Sequence, residues 1–457
     1  MIALLVTVLT ALLAYSNFLN KKYHLMLFYL TAIANDYFGF GKILGHAAFK
    51  TTDILLVIVC VIWITLFLKE KNTFQYDYNK IGKSIWYLFV FITLVFIGTI
   101  LLHQDTFIYA LRVYRPFLVL PFYFVVLKLD EIAINKYLRL LLVFSVIQGI
   151  FYYLQFVGIN GILSGYGADN EFEGMETRLG NFPIMASIFF LYFLFKKDIP
   201  IGQKVLFLAF WGLMPIFGQM RGRTLMLALG ICVYLYCNRK VSYLKYVVIA
   251  YAAFTFLISP MMERRSQDAE MSTGKEIMYV LKNPFGIYDY YTTYIGKESG
   301  GTFLFRIAVL SERVAFMIEN PKYIPFGVGC VCEESPNNIY HMTLGTITRE
   351  EGKDDVVNYL ASADNVWVGI LMRFGLLGVI LLISVHYNII KESFSKISSS
   401  RNTWFTVYAC MAIPEFIGTF NGNMFDRTDG LVPFCITAAI ITILSRNITP
   451  KTTLLNK

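Results

Sequence analysis

Residues 84–102 read SIWYLFVFITLVFIGTILL, nineteen positions from Ser84 to Leu102 without one charged side chain. At a rise of about 1.5 Å per residue a helix of that length measures roughly 28 Å, which matches the hydrocarbon core of a bilayer. The run is continuously apolar and lacks the period-two alternation of a barrel strand. A segment of this kind satisfies its own backbone hydrogen bonds in lipid only as a helix.

The same pattern recurs along the chain. Apolar stretches lie at 1–19, 23–39, 51–68, 84–102, 106–128, 137–157, 181–195, 205–219, 222–237, 243–260, 364–386, 403–420 and 430–445. Across all 457 residues 56% are hydrophobic, only 16% are charged, and the mean hydropathy is +0.57. A soluble domain is about one quarter charged, and no aqueous core could absorb this much apolar surface. The expected fold is all-α: a polytopic membrane helical bundle of about 12–14 transmembrane helices. The first run lacks a basic leader and flows into a second, so no cleavable signal peptide is expected.

Orientation follows from the placement of positive charge, which is retained on the cytoplasmic side of short loops. One set of connections carries Lys21 and Lys22, then Lys69, Lys71, Lys80 and Lys83, then Lys128, Lys136 and Arg139. It continues with Lys196, Lys197 and Lys204, with Arg239, Lys240 and Lys245, and with Lys391, Lys396 and Arg401, and ends at Arg446, Lys451 and Lys457. That is about half of the 40 basic residues, and it marks the cytoplasmic side. The alternate set faces outward: the acidic 158–180 connection with Glu173, the Gln219–Arg223 link, the long 261–363 loop and the Asn421–Gly430 turn. The chain therefore divides into transmembrane helices with short loops over 1–260, one large extracytoplasmic loop over 261–363 containing short helices, and C-terminal transmembrane helices over 364–457. The net charge of +9 is explained by this topology and gives no reason to expect nucleic acid.

The charges placed against the bilayer's preference are the candidates for function. Arg112 and Arg115 lie one helical turn apart, roughly 9 Å into their span, where they either snorkel to the outer headgroups or meet a partner. Arg373, nine residues into 364–386, either serves a site or pairs with a carboxylate on a neighbouring helix. Met220-Arg221-Gly222-Arg223 puts two arginines in a tight outward turn. The planar guanidinium fork suits phosphate or diphosphate oxygens, so either a catalytic diphosphate or a lipid headgroup would hold them. Thr302–Ile318 is helically patterned, with Arg306 and Arg313 two turns apart on one face. Asp364, at the mouth of the next span, is a helix cap or a base. The aromatic residues Phe285, Tyr288, Tyr290, Tyr291 and Tyr294 form either a saccharide platform or an interfacial belt. Cys330 and Cys332 are too close in sequence for an easy disulfide and have no ligand set for zinc around them.

The order of these motifs resembles the O-antigen polymerase and O-antigen ligase superfamily of bacterial envelope enzymes. The resemblance rests on Arg178-Leu179-Gly180-Asn181-Phe182-Pro183, Met220-Arg221-Gly222-Arg223, and Arg306 ahead of Asn320-Pro321 and Pro325-Phe326-Gly327-Val328-Gly329. It continues through Asp364-Asn365 to Arg373-Phe374-Gly375-Leu376-Leu377-Gly378. The resemblance implies a GT-C-like fold in the bacterial inner membrane and a periplasmic active site. It also implies metal-independent transfer of an undecaprenyl-diphosphate-linked oligosaccharide donor onto a sugar hydroxyl of an acceptor, without any cofactor. It brings a chain-length regulator and a flippase as partners, besides the lipid bilayer itself.

In that family the arginines matching Arg221 and Arg306 engage the diphosphate, and Arg178, Arg223, Arg112, Arg115, Asn365, Arg373 and His341 are the further substrate-binding candidates. Ligases carry histidine where this chain has Asp364, a departure that favours a polymerase over a ligase or protein O-oligosaccharyltransferase. Asp364 is then the first candidate for the base, with Glu173 and His341 behind it. A transporter or flippase for lipid-linked sugar is the non-enzymatic rival. It would show paired similar halves, and no such internal repeat is evident.

Overall fold

The computed structural model describes residues 2–35, 51–70, 79–154, 183, 185–217, 221–263, 273–283, 286, 302–340, 342, 344, 346–348, 356–358, 360–361, 365–422, 425, 427–446 and 448. Every one of the thirteen apolar stretches holds helix. In chain order these are α1 (Ile2–Leu19), α2 (Tyr23–Ala34), α3 (Thr51–Lys69), α4 (Lys80–Leu101), α5 (Phe107–Tyr114), α6 (Phe122–Val126), α7 (Glu131–Leu154), α8 (Ala186–Phe195), α9 (Ile201–Phe217), α10 (Arg221–Cys237) and α11 (Leu244–Glu263). After them come α12 (Thr273–Lys282), α13 (Thr302–Glu319), α14 (Val366–Ile397), α15 (Thr403–Gly418) and α16 (Thr428–Ser445). Among the described residues six helical segments are long and apolar enough to cross a membrane: Thr52–Lys69, Lys80–Leu101, Phe107–Val126, Glu131–Leu154, Val366–Ile397 and Thr428–Ser445. The protein is helical and has the makings of a membrane-embedded bundle.

Besides the greater length of α14, two features depart from the sequence expectation. The 106–128 stretch is not one straight helix, because a 3-10 turn at Arg115–Val119 separates α5 from α6. Pro116 and Pro121 lack the amide hydrogen that an α-helix needs at those positions. The other departure is a short antiparallel ladder in the long loop, β1 (Thr346–Thr348) against β2 (Val356–Asn358), with Ile347 opposite Val357. Among the described residues the fold is thus helical, apart from this one two-stranded ladder.

α16 runs through the middle of the bundle, touching α2, α3, α6, α14 and α15. Lipid chains are as apolar as leucine, so helices in a bilayer are held by close packing and buried hydrogen bonds rather than by escape from water. Around α16 the Tyr123 hydroxyl meets Thr442 Oγ1 at 3.0 Å, and Asn79 Nδ2 donates to the same oxygen at 3.3 Å. Asn79 also caps α4, accepting from the Gly82 amide at 2.7 Å. On one rim Lys128 pairs with Glu70 at 2.7 Å and Lys396 Nζ donates to the Ser445 carbonyl at 2.8 Å. These contacts join connections that the charge pattern assigns to a common side.

α14 is longer than expected: the apolar stretch begins where anticipated but the helix continues to Ile397. It is broken at Gly375, whose φ of 62° and ψ of −164° lie outside helical space and in a region reserved for glycine. Arg373 lies two residues before the break, and the helix as a whole packs along α4.

Candidate functional site

A helix broken at Gly375 leaves carbonyls and amides on either side of the break without their intrahelical partners, and in a dry environment those must be met elsewhere. The stretch from Ile324 to Gly329 meets them. The Val328 amide donates to the Met372 carbonyl at 2.8 Å and the Gly329 amide to the Arg373 carbonyl at 3.1 Å. Returning across the break, the Leu376 amide donates to Ile324 O at 2.7 Å and the Leu377 amide to Pro325 O at 3.2 Å. Backbone lies directly on backbone, and only glycine permits it. A Cβ on Gly375 would stand 2.5 Å from the Gly327 nitrogen, and one on Gly327 would stand 2.5 Å from the Arg373 carbonyl carbon. Gly327 and Gly375 both have positive φ, 73° and 62°. The motifs Pro325–Gly329 and Arg373–Gly378, about 50 residues apart in sequence, are therefore one structural unit.

Beyond Gly329 the chain turns across the end of α4. The Cys330 amide donates to Thr99 Oγ1 at 2.9 Å. Asp105, only 4% exposed, accepts from the Cys332 amide at 3.0 Å, from the Ser335 hydroxyl at 2.5 Å and from the Thr106 amide at 2.7 Å. Three donors on one carboxylate compensate for its burial. They also fix the two carboxylates that follow Cys332.

Glu333 and Glu334 then point to different arginines. Arg373, 6% exposed, donates to Glu333 Oε1 at 2.5 Å, and the Ala361 amide reaches the same oxygen at 3.3 Å. Arg112 donates to Glu334 Oε2 at 2.9 Å in a half-exposed pair, with its guanidinium 5.1 Å from the Tyr109 ring. Two of the expected arginines are thus gathered by adjacent carboxylates on one turn. Arg115 is not part of this group: it pairs with Asp53 at the start of α3, at 2.9 Å. For Arg373 the carboxylate comes from the long loop rather than from a neighbouring helix.

Asn365, 3% exposed, caps α14 by accepting from the Trp367 amide at 2.9 Å. The capping duty considered for Asp364 therefore falls to its neighbour. Arg221 opens α10, and Arg223 two residues further is partly buried. Arg306 is partly buried on α13, the helix expected over Thr302–Ile318. Leu304 and Ala308 of that helix pack with Val368 of α14. On the same helix Arg313 is fully buried; it pairs with Glu312 and donates to Leu344 O at 2.7 Å, which ties α13 to the loop. Asp364, His341, Arg178, Glu173 and the aromatic residues at 285 and 288–294 lie outside the described residues.

Burial pushes the Cys330 thiol up to about 12, although the nearby Arg373 guanidinium pulls the other way. Cys332 is raised for the same reason, burial first. Such thiols stay protonated and make poor nucleophiles. Tyr340 is also raised, by burial and then by its 3.3 Å hydrogen bond to the Tyr323 hydroxyl. Among the described residues no cluster of three or more histidine, cysteine, aspartate or glutamate side chains could hold a metal ion.

Sequence reasoning passed over Asp105, Glu333 and Glu334. The available signal was a pair of arginines in apolar spans, each needing a counter-charge, and an acidic run beside the only cysteines of the outward loop. No protein-family model matches the chain, and no curated protein matches it.

Proposed function

We propose that the chain is a membrane-embedded glycosyltransferase of the polysaccharide polymerase kind, acting at the outer face of a cytoplasmic membrane. It would transfer a glycan from an undecaprenyl-diphosphate carrier to a sugar hydroxyl of a second lipid-linked unit. The observation that carries this reading is the packing of Pro325–Gly329 onto Arg373–Gly378. Two of the motifs behind the family resemblance form one unit, and it holds arginines at one end of a helical bundle.

The reaction makes a bond between the acceptor oxygen and the anomeric carbon, and breaks the bond from that carbon to the diphosphate. The electron pair of the broken bond leaves with the diphosphate, and guanidinium groups stabilise that growing charge without a metal. Arg221 and Arg306 are assigned this role, with Arg178, Arg223, Arg112, Arg115 and Arg373 as further donors along the saccharide and phosphate path. The hydroxyl proton passes to Asp364, with His341 or Glu173 as alternative acceptors. Asn365 supports this assignment, because as the cap of α14 it relieves Asp364 of that duty.

The test is charge removal. Arg221→Ala and Arg306→Ala in a protein of unchanged melting temperature should each lower elongation about 100-fold or more, the scale of losing one preorganised donor at a developing oxyanion. Lysine at these positions should restore part of the rate. Full activity in both alanine variants would rule out the diphosphate assignment.

A further inference from the structure

The stretch Ile324-Pro325-Phe326 belongs by sequence to the long outward loop, yet the contacts around it belong to the bilayer. Phe326 stacks on Phe91, ring centroids 6.4 Å apart. Phe91 lies near the middle of α4, which spans 22 residues, and so about 15 Å below its Leu101 end at 1.5 Å per residue. The Phe326 ring is then roughly 9 Å or more below that end, inside a hydrocarbon core about 30 Å thick. Phe326 is 56% exposed and Ile324 36% exposed.

What flanks them is continuous with two lipid-facing stripes at helical spacing. On α4 these are Tyr87, Val90, Leu94, Ile97 and Leu101; on α14 they are Leu376, Leu377, Ile380 and Ile383. Irregular backbone is tolerated at membrane depth only where its polar groups are met by protein. Here the bonds across the Gly375 break take up the Ile324 and Pro325 carbonyls and the Val328 and Gly329 amides, and Gly327 N donates to Tyr323 O at 2.7 Å. Lys322, the cation nearest this turn in sequence, lies with its ammonium 4.8 Å from the Tyr323 ring, on a stem long enough to reach the headgroups.

We propose that Ile324-Pro325-Phe326 is a re-entrant turn immersed in one leaflet, and that the partner of its apolar face is lipid hydrocarbon. The turn fixes how deep the break in α14 lies, and with it the height of Arg373 against the bilayer surface. This placement holds whatever reaction the protein performs.

The test uses the full chain reconstituted in phosphatidylcholine vesicles that carry a diazirine midway along one acyl chain. After irradiation, peptide-resolved mass spectrometry should find lipid adducts on the wild-type peptide containing Ile324 and Phe326, as on the α4 stripe, and none on the peptide containing Asn337. In a second arm, Phe326→Cys and Asn337→Cys are exposed to a charged maleimide on both sides of the membrane. Cys at 337 should label fully, while Cys at 326 should label at least tenfold more slowly until detergent is added, since a thiol in hydrocarbon does not ionise. Absence of adducts at 324–326 with normal labelling of α4, or equal maleimide rates at 326 and 337, would overturn the proposal. The wild-type arm needs no variant to fold.

Discussion

Gly375→Ala is the sharpest perturbation this architecture offers. The new methyl group would stand 2.5 Å from the Gly327 nitrogen and 2.6 Å from both Ile324 O and Phe326 N, all of them backbone atoms that no rotamer change can clear. The conformation at φ 62° and ψ −164° alone costs a residue with a Cβ about 1–3 kcal/mol. If the loop retreats, the four hydrogen bonds across the break are lost at about 1 kcal/mol each. The expected destabilisation is therefore about 5 to 7 kcal/mol. Thermal unfolding in nanodiscs, followed by circular dichroism, should show a melting temperature far below wild type. The control is Gly98→Ala on α4, where nothing lies within 4 Å of the added Cβ. Alanine there should be neutral or slightly stabilising, because it is the better helix former by about 1 kcal/mol. A Gly375→Ala protein that melts with the wild type would refute the claim that the break and the loop are locked backbone to backbone.

Other outcomes follow from the same contacts. Glu333→Gln leaves the buried Arg373 facing a neutral amide and should cost about 3 kcal/mol, the usual penalty for removing one member of a buried pair. The double variant Glu333→Gln with Arg373→Gln should cost less than the sum of the single changes in the same unfolding assay. Arg112→Ala removes a half-exposed pair and should change stability by no more than about 1 kcal/mol. The Cys330 thiol has an ordinary value near 9 and is pushed up to about 12 in the fold, so its contribution is complete below pH 9. That contribution is lost as pH climbs from 9 to 12, because the unfolded chain releases the proton first. Stability measured by denaturant titration should fall across this window, and Cys330→Ala should flatten the fall.

The helices were legible because each apolar stretch carries its own signal, and no tertiary contact was needed to find α3, α4 or α7. Boundaries were less so. α14 extends to Ile397 because Lys391, Glu392 and Lys396 continue the helix at the rim, where Lys396 is held by Glu392 at 2.7 Å. Pro116 and Pro121 were visible in 106–128, but the apolar character of the stretch masked the break they impose. The arginines stood out because charge in an apolar span is costly. Their partners did not, since Arg112 and Glu334 are 222 residues apart and only the fold brings them together. Gly327 and Gly375 could be read from the chain as positions of special backbone, but nothing in the order of residues says that each exists to admit the other.

Purified protein supplied with an undecaprenyl-diphosphate-linked repeat unit as both donor and acceptor gives the most direct measurement. The account predicts a ladder of glycans, each one repeat longer than the last and still carried on the lipid diphosphate, formed without added metal. Transbilayer movement of the intact unit, with no product longer than the input, would contradict it.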